Sequence, residues 1–239
     1  MPSPRMNALG QPIGTALPAW TPPARPPRAP MPGRYCRIEP MDEGFAGELH
    51  AANTRAADAR GWTYLPYGPF SNEDEYRAWL VAHCLTDDPL FHVVIDEVTG
   101  RATGVAAFMR IQPASGAIEV GHIHLSPALR RTRAATEAMC LMMARVFDLG
   151  YRRYEWKCDA LNAPSRAAAE RLGFAFEGVF RQATVYKGRN RDTAWYSMID
   201  AEWPVLARAF EVWLDPANFD DDRRQRVRLS ELTRRARDE

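Results

Sequence analysis

The spacing of apolar residues along the chain predicts a series of helices and strands between residues 35 and 214. Apolar residues three or four apart predict helices over 41–55, 72–85, 133–149, 162–172 and 203–214. Alternating or β-branched apolar stretches predict strands over 35–38, 91–96, 102–111, 117–125, 151–157, 174–186 and 192–199. Capping side chains support the first two helices, with Asp42 before one and the pair Ser71 and Asp74 before the other.

The turns between the strands indicate how the sheet is connected. Residues 97–100 and 113–116 separate three consecutive strands by hairpin-length turns, so these strands should form an antiparallel meander. The helix over 133–149 then joins two strands that should lie parallel where they adjoin. The sequence therefore predicts an α/β fold with a mixed, mostly antiparallel twisted sheet flanked by helices.

Both ends of the chain depart from this pattern. Residues 1–33 are rich in proline, which removes backbone donors, and they hold little apolar surface. We expect a disordered or polyproline II leader, either without function or serving to dock a partner. Residues 217–239 are densely charged and should form a solvated helix or a frayed tail. The predicted organisation is this leader, one domain over 34–216, and a charged C-terminal helix or tail.

Composition narrows the classes of function. A net charge of +1 argues against a nucleic-acid or membrane footprint over the whole surface. No apolar stretch approaches the roughly 18 residues of a membrane span, and the N-terminus lacks the apolar segment of a secretory signal. The four cysteines are widely spaced without a Cys-x-x-Cys pair. This argues against disulfides or a metal site and favours reduced thiols in the cytoplasm.

Residues 119–138 combine a strand, a tight basic turn and the start of a long helix. Such a turn directs backbone N–H groups and arginine side chains to one point, and the positive end of the helix dipole adds to the same field. The stretch therefore predicts a phosphate-binding site. For Arg130, Arg131 and Arg133 the alternative is a solvated basic turn that binds nothing.

Three groups of residues, in order along the chain, carry a resemblance to a known family. They are His124-Leu125-Ser126-Pro127 with Arg130 and the turn to Ala138, Asn162-Ala163-Pro164-Ser165 with Ala169-Glu170-Arg171-Leu172-Gly173-Phe174, and Phe176-Glu177-Gly178 with the closing hairpin. Together they resemble the GNAT superfamily of acyl-CoA-dependent N-acyltransferases, in particular its RimJ/RimL type. A weaker resemblance extends back to about Tyr35, so residues 1–33 lie outside it.

The resemblance implies acetyl-CoA as co-substrate and no metal. In the family, the strand end bonds the pantetheine arm and the turn takes the pyrophosphate. The residues so implied are Leu125, Ser126, Arg130, Arg131, Thr132, Arg133, Ala134, Ala135, Thr136 and Asn162. Arg133 stands where the family usually has glycine. Arginine hinders close approach of the backbone to the pyrophosphate, but it adds a fork of donors suited to phosphate.

The resemblance also implies a base on the strand that leads into the turn. Glu119 is the first candidate for removing the amine's proton, through a water where needed, and His122 is the second. Strict alternation puts them on opposite faces, but this strand is often bulged in the family, so the phase stays open. A solvent-facing strand residue is the alternative role for each.

The start of the fourth predicted helix carries two further candidates. Asn162 is suited to cap this helix, and Pro164 fits its first turn. The resemblance implies that Asn162 also contacts the pantetheine arm and that Ser165 bonds the thiolate as it leaves. Tyr186 is a more distant candidate for a proton donor.

An aromatic segment lies between the first two predicted helices, where the family builds its acceptor pocket. Glycine and proline interrupt it, so Trp62, Tyr64, Tyr67 and Phe70 are predicted to lie on a loop. These rings could bind the substrate, for instance its ammonium group through a cation–π contact. They could equally do no more than pack together as a rigid lid.

Taken together, these features predict an enzyme that moves an acetyl group from acetyl-CoA to a primary amine by direct attack. None of the cysteines lies in a recognisable nucleophile motif, which favours transfer without an acyl-enzyme. The acceptor is a protein N-terminus or a small-molecule amine. Two alternatives stay open: a catalytically weak acyl-CoA-binding sensor or interaction module, and a nucleic-acid-associated protein that uses the arginine-rich tail. Exposed strand edges also leave a homodimer open.

Overall fold

The structure is a computed structural model that describes residues 5–56 and 58–238. Its strands are β1 Arg5–Met6, β2 Pro12–Ile13, β3 Met31–Pro32, β4 Cys36–Pro40, β5 Leu90–Asp96, β6 Ala102–Gln112, β7 Ala117–Leu125, β8 Arg153–Asp159, β9 Ala175–Tyr186 and β10 Arg189–Ile199. Its helices are α1 Ala46–Thr54, α2 Glu73–His83, α3 Arg133–Asp148, α4 Ala163–Arg171, α5 Trp203–Leu214 and α6 Leu229–Asp238. None of these helices combines the length and the apolar content needed to cross a membrane.

Eight strands form one sheet in the order β3-β4-β5-β6-β7-β8-β10-β9. Neighbouring strands are antiparallel except for β7 and β8, which the crossover helix α3 connects in parallel. Strands β5, β6 and β7 form the meander that their short turns predict. The mixed, mostly antiparallel α/β fold predicted from the sequence is therefore confirmed.

The sheet separates two apolar cores. On one face, which we call the α3 face, helices α3, α4 and α5 pack on β4 to β8 and on β10. On the opposite face, which we call the α1 face, helices α1 and α2 pack on β5 and β6. The buried cluster on the α1 face includes no residue of β8, β9 or β10 within the described chain. On these three strands the α1 face is therefore available for polar side chains.

The N-cap of helix α2 lies one residue later than predicted, at Asn72 rather than Ser71. Asn72 is the N-cap, since its side chain accepts the Glu75 N–H at 2.9 Å. Glu75 in turn accepts the Ser71 N–H at 2.9 Å. The predicted partner of Ser71, Asp74, lies in the first turn of the helix. The arrangement therefore resembles a capping box, but the Glu75 carboxylate accepts the N–H of Ser71, the residue before the cap, instead of the N–H of Asn72.

Two strand boundaries also differ from the prediction. Strand β8 begins at Arg153 rather than at residue 151, because Gly150 turns the chain with φ 91° and Tyr151 is fully buried in the core. Strand β10 begins at Arg189 rather than at residue 192. The turn before it is only Lys187 and Gly188, both with positive φ, which is the geometry of a two-residue hairpin.

The proline-rich N-terminal segment contributes to the sheet. Strand β3 pairs with β4, and Met31 is buried in the core. The Arg28 side chain donates to the Leu85 and Thr86 carbonyls at 3.0 and 2.6 Å. The described part of the predicted leader is thus attached to the sheet at several points rather than wholly disordered. Residues 1–4 lie outside the described residues, and the boundary at residue 33 stays a prediction.

The charged C-terminal segment ends in helix α6, which is not wholly solvated. Leu229 and Thr233 are buried, and Leu232 packs against the main core. Arg237 Nε donates to the Gly173 carbonyl at 2.8 Å. The segment does contain a helix, but one face of this helix is buried rather than solvated. The reason is that its few apolar residues are concentrated on that face. Residue 239 of the predicted tail lies outside the described residues.

Candidate active site

The parallel strands β7 and β8 pair over four residues only, 117–120 with 153–156. Beyond this point residues 121–125 of β7 pair only with β6, and residues 157–159 of β8 pair only with β10. Their facing edges therefore keep backbone N–H and C=O groups without a neighbouring strand. We call this gap the wedge. It lies between the α3 face and the α1 face of the sheet, where no hydrogen-bonded strand closes it among the described residues.

A bulge in β7 decides which side chains reach each face. Where one residue of β6 faces two residues of β7, His122 adopts a left-handed backbone with φ 51°. The α3-face core therefore takes Ile118, Val120, Ile123 and Leu125. The α1 face takes Glu119, His122 and His124. The two candidate bases, whose relative orientation the sequence left open, thus lie on the same face.

The turn between β7 and α3 offers free backbone donors. Arg131 has φ 62°, and α3 begins at Arg133 with Thr132 as its N-cap. Within the described chain, the backbone N–H groups of Arg131, Arg133 and Ala134 have no hydrogen-bond acceptor. The Ala135 N–H, in contrast, donates to Thr132 Oγ1 at 3.1 Å. Free N–H groups at a helix N-terminus form a cradle that suits an anion such as phosphate.

The arginine side chains of this turn have other partners. The Arg133 guanidinium lies over the Tyr35 ring at 4.5 Å and over the Phe219 ring at 4.8 Å. The structure thus differs from the expected phosphate fork at Arg133, because the two rings hold its side chain against the C-terminal segment. Arg130 Nε donates to the Leu125 carbonyl at 2.8 Å, and Arg131 is exposed. Arg133 therefore contributes its backbone N–H, and not its side chain, to the cradle.

Two further predicted coenzyme residues are buried inside the fold. Ser126 is fully buried, and its N–H donates to the Thr103 carbonyl at 3.0 Å. Thr136 is also buried, and its hydroxyl accepts both terminal nitrogens of Arg171 at 3.2 Å. Both side chains therefore support the turn from within rather than face the wedge.

The start of α4 holds Asn162 and Ser165 beside the end of the wedge. Asn162 Oδ1 accepts the Ser165 N–H at 3.2 Å, which confirms the predicted helix cap. Ser165 Oγ accepts the indole N–H of Trp156 at 3.0 Å. Among the described residues no nitrogen or oxygen acceptor is found for the Ser165 O–H, which lies within hydrogen-bonding reach of the Cys158 sulfur. Because a thiol is a weak acceptor, a ligand can compete with Cys158 for this hydrogen.

Glu119 lies at the narrow end of the wedge between two cations. Its carboxylate contacts Arg110 Nη1 at 2.6 Å and Lys157 Nζ at 2.8 Å, and the residue is 2 % exposed. Lys157 also contacts Glu155 at 2.7 Å and lies 3.8 Å from the centre of the Trp195 ring. This cluster joins β6, β7, β8 and β10 across the α1 face and holds the Glu119 carboxylate in one position.

The two histidines of the bulge are packed against aromatic rings. His122 Nδ1 lies 3.2 Å from the Tyr67 hydroxyl, and His124 stacks on Trp62 with ring centres 3.8 Å apart. Burial, helped by the charge of Arg110, lowers the pKa of His122 to about 4. Burial and the charge of Arg130 lower the pKa of His124 to about 4. Both imidazoles are therefore neutral at neutral pH.

The aromatic loop both packs against the core and covers the wedge. Phe70 meets Trp62 edge to face at 5.5 Å and belongs to the packing. Tyr64 donates its hydroxyl to the Leu161 carbonyl at 3.1 Å, which ties the loop to the start of α4. The β9–β10 hairpin reaches the same loop, where Lys187 Nζ donates to the Trp62 carbonyl at 2.8 Å. Loop and hairpin tip together form a cover over the α1 face of the wedge.

The sequence indicated His124 only as part of the family resemblance, and it did not indicate three further residues that the structure brings to this site, namely Lys157, Trp156 and Asp159. Asp159, which ends β8, accepts the Tyr186 hydroxyl at 2.7 Å. Burial and this carboxylate raise the pKa of Tyr186 to about 12, so the phenol keeps its proton. Lys157 meets Glu119 and Asp159 meets Tyr186 from other parts of the chain, whereas the Trp156–Ser165 contact spans nine residues, and no sequence motif marks any of them. The one available signal was a lysine inside an otherwise buried strand.

A protein-family profile described as an acetyltransferase (GNAT) domain matches residues 37–175. A GCN5-related N-acetyltransferase from Brucella melitensis is 49% identical, with a TM-score of 0.88 over 91% of this chain and all of its own. A probable GNAT-family acetyltransferase from Chromobacterium violaceum is 43% identical, with a TM-score of 0.75 over 81% of this chain and 98% of its own. No curated protein matches the chain in sequence.

A RimL ribosomal L7/L12 alpha-N-protein acetyltransferase shares the fold at 21% identity. The likeness covers 72% of this chain and 94% of that chain, with a TM-score of 0.61. At this level of identity the comparison supports the arrangement of strands and helices. It does not identify the molecule that receives the acyl group.

Proposed function

This chain belongs to the GNAT family of acetyltransferases, and on that premise we propose that it transfers the acetyl group of acetyl-CoA to a primary amine by direct attack. GNAT acetyltransferases use acetyl-CoA as co-substrate. The primary amine, the direct attack and the RimJ/RimL type belong to the proposal. The cytoplasm is the proposed location, since all four cysteines are free thiols.

The observation that carries the proposal is the wedge. An anion cradle lies at its α3 face, and polar groups under a cover lie at its α1 face. A coenzyme held at the cradle could pass its acyl end through the sheet and meet an amine that arrives from the opposite side. Holding the two reactants in this way removes much of the entropic cost of a bimolecular reaction.

The residues present suit acetyl-CoA, whose thioester supplies the activated acetyl group. The free N–H groups of Arg131, Arg133 and Ala134 would bind the pyrophosphate. The free edge of β7 at residues 121–125 would bond the amide groups of the pantetheine arm, as a neighbouring strand would. Asn162 would contact the same arm from the start of α4. The Arg133 side chain, turned toward Tyr35 and Phe219, does not obstruct the cradle.

Glu119 is the proposed base. Its side chain is fixed beside the wedge by Arg110 and Lys157, where a carboxylate could take a proton from the amine directly or through a water. His122 is the second candidate, since burial keeps its ring neutral and one ring nitrogen is bonded to Tyr67. A histidine with an ordinary pKa of 6.5 would suit this role, but the pKa of His122 is lowered to about 4. His122 is therefore a weaker base than an ordinary histidine.

Ser165 is the proposed donor to the departing thiolate. Its oxygen already accepts the Trp156 N–H, so its own hydrogen remains to be donated. No cysteine competes as a nucleophile, because burial raises the pKa of all four thiols and so disfavours the reactive thiolate. Direct attack by the amine is therefore favoured over an acyl-enzyme.

Calorimetric titration with acetyl-CoA and with free CoA, followed by a screen of amine acceptors, tests this proposal. Micromolar binding and transfer of acetyl to at least one amine would support it. Binding without transfer to any peptide or small-molecule amine would point instead to an acyl-CoA-binding sensor. If neither ligand binds at millimolar concentration, the cradle does not function and the enzyme proposal is wrong.

A further inference from the structure

We propose that the β9–β10 hairpin forms a second binding site beside the wedge, which takes the acidic chain that follows the acceptor amine in an acidic peptide. This inference rests on the proposed function and narrows its acceptor class. The site is an open cavity of about 720 Å³ lined by Phe180, Arg181, Gln182, Asn190 and Asp192. We call it the hairpin cavity. Its volume is in the range of ligand-binding clefts.

A bulge in β9 creates the hairpin cavity. Between the pairs Thr184–Arg191 and Phe180–Thr193, one residue of β10 faces three residues of β9, and Gln182 adopts φ 51°. The Gln182 N–H donates to Asp192 at 2.7 Å, which fixes the bulge. Bulges of this kind redirect side chains and often lie next to functional sites.

The hairpin cavity adjoins the wedge on the α1 face. The Asp192 carbonyl accepts the N–H of Ala160, the residue that follows the free end of β8. On the same face Phe180 stacks on Trp195 with ring centres 4.3 Å apart, and Lys157 of the Glu119 cluster lies over Trp195. A peptide whose first residue places its amine in the wedge would therefore continue toward the hairpin cavity.

The charge of the hairpin determines what this site would bind. Residues 180–192 contain Arg181, Lys187, Arg189 and Arg191 but a single acidic residue, Asp192. In the part of the chain that the structure describes, none of these four cations forms an ion pair. The Asp192 carboxylate is already engaged by Gln182 and Asn190. The hairpin around the cavity thus has an excess of positive charge that a ligand can balance.

Two buried donors indicate the same ligand chemistry. Arg191 Nε and Trp195 Nε1 are shielded from solvent, and neither has an acceptor among the described residues. Both residues lie on β10 next to the residues that line the cavity rather than in its lining. Buried N–H groups normally have partners, so acceptor oxygens from a ligand that reaches past the cavity would satisfy them. Carboxylates provide such oxygens and also balance the positive charge. Because the charges are spread over the hairpin, a chain with several carboxylates fits better than a small amine with one.

The test compares acetyl transfer to three hexapeptide amides. All begin with Ala-Ala and continue with Asp and Glu, with Asn and Gln, or with Arg, so that the N-terminal amine is the one primary amine in each peptide. We expect kcat/KM to be about tenfold higher for the acidic than for the neutral peptide at low salt, and lowest for the arginine peptide. Raising the salt concentration should narrow the difference, because screening weakens exposed charge pairs.

Charge reversal locates the effect. In Arg181→Glu and Arg189→Glu the ratio of kcat/KM between acidic and neutral peptides should fall toward one. Arg208→Glu on helix α5, at another exposed arginine without an ion pair in the described residues, is the matched control and should keep the wild-type ratio. Equal affinity for acetyl-CoA in all variants would show that the fold is intact.

The outcomes separate this inference from the proposed function. Equal transfer to acidic and neutral peptides would overturn the inference and leave the proposed function standing. The same would follow if Arg208→Glu lost the preference for acidic peptides as much as the hairpin variants do. Conversion of a dimer to a monomer by Arg181→Glu, with equal loss for all peptides, would identify the hairpin as an interface between copies and also overturn the inference. No transfer to any peptide or small amine would instead contradict the proposed function.

Discussion

The two faces of the sheet meet at the wedge, and they build their parts of the site by different means. On the α3 face the donors are backbone N–H groups within one continuous turn, fixed by the Thr132 cap and the start of α3. On the α1 face the polar groups are side chains from β6, β7, β8, the aromatic loop and the β9–β10 hairpin. Ion pairs and stacked rings hold them in place.

This difference shows how each half should respond to substitution. A backbone cradle tolerates changes of side chain as long as the turn keeps its shape, as the unusual arginine at position 133 illustrates. A site made of side chains depends on many contacts between distant residues. It is therefore sensitive to single substitutions and to the protonation of its buried groups. The following experiments test that contrast.

The largest expected effect is on the α1 face. Glu119→Gln should lower kcat about 100-fold at neutral pH, because the variant removes the proposed base while keeping the shape of the side chain. The dissociation constant of acetyl-CoA should stay the same. Steady-state kinetics and calorimetry measure the two quantities. Glu155→Gln is the matched control, since it removes the other carboxylate that contacts Lys157.

An equal loss of activity in Glu155→Gln would mean that the charge balance of the cluster, rather than the base, causes the effect. Unchanged activity in Glu119→Gln would remove Glu119 from the mechanism and make His122→Gln the next variant to measure. Activity that depends on the neutral form of His122 would fall as the pH drops through about 4.

The α1 face should also be the more acid-sensitive half. His124 has a pKa of about 4 in the folded protein, below its ordinary value of 6.5, so the unfolded chain binds more protons between these two values. Its contribution to the free energy of unfolding is therefore present above pH 6.5 and is lost as the pH falls toward 4. We expect His124 to account for about 2 kcal/mol of the loss between pH 7 and pH 5.

Denaturant titrations at the two pH values measure this contribution. In His124→Gln the loss between pH 7 and pH 5 should be smaller than in the wild type by about that amount. His83→Gln is the control, because His83 is exposed at the end of α2. The same pH dependence in wild type and His124→Gln would contradict a buried neutral imidazole at this position.

The α3 face should respond to changes of backbone rather than of side chain. Arg133→Pro removes one N–H of the cradle at the first position of a helix, where proline is tolerated, and Thr132 before it is already extended. We expect acetyl-CoA to bind about tenfold more weakly, because a hydrogen bond to a charged group is lost. Calorimetry measures the change.

Arg133→Ala is the control, since it removes the guanidinium from Tyr35 and Phe219 but keeps the N–H group. It should bind acetyl-CoA as the wild type does and lose about 1 kcal/mol of stability. Equal weakening in both variants would show that the Arg133 side chain, and not its backbone, binds the coenzyme.

The smallest effect concerns the contact that orients Ser165. Trp156→Phe removes the N–H that occupies one side of the Ser165 oxygen and should lower kcat about fivefold. The same substitution in a Ser165→Ala background should have no further effect on kcat if Trp156 acts only through Ser165. Additive losses in this double-mutant cycle would instead assign Trp156 a purely structural role.

The difference between the faces also explains what the sequence could predict. The meander, the crossover helix and the basic turn depend on local patterns, so strand spacing, hairpin-length turns and the arginines at the start of α3 indicated them in advance. The orientation of Glu119 and His122 could not be read from alternation, because the bulge at His122 depends on how β6 pairs with β7. The contact of Lys157 with Glu119 joins two strands separated by helix α3, and the contact of Trp156 with Ser165 depends on how α4 packs after β8, so no local pattern contained either.

The arrangement of the sheet has a consequence for its folding. Only four residue pairs between β7 and β8 join a block of five strands to a block of three, so they form a short seam within the sheet. A ligand that bonds both free edges would close this seam only in the folded state, and would stabilise the chain in proportion to the logarithm of its concentration. Resistance to proteolysis would then follow the supply of acetyl-CoA, so that the amount of protein in a cell is linked to its metabolic state.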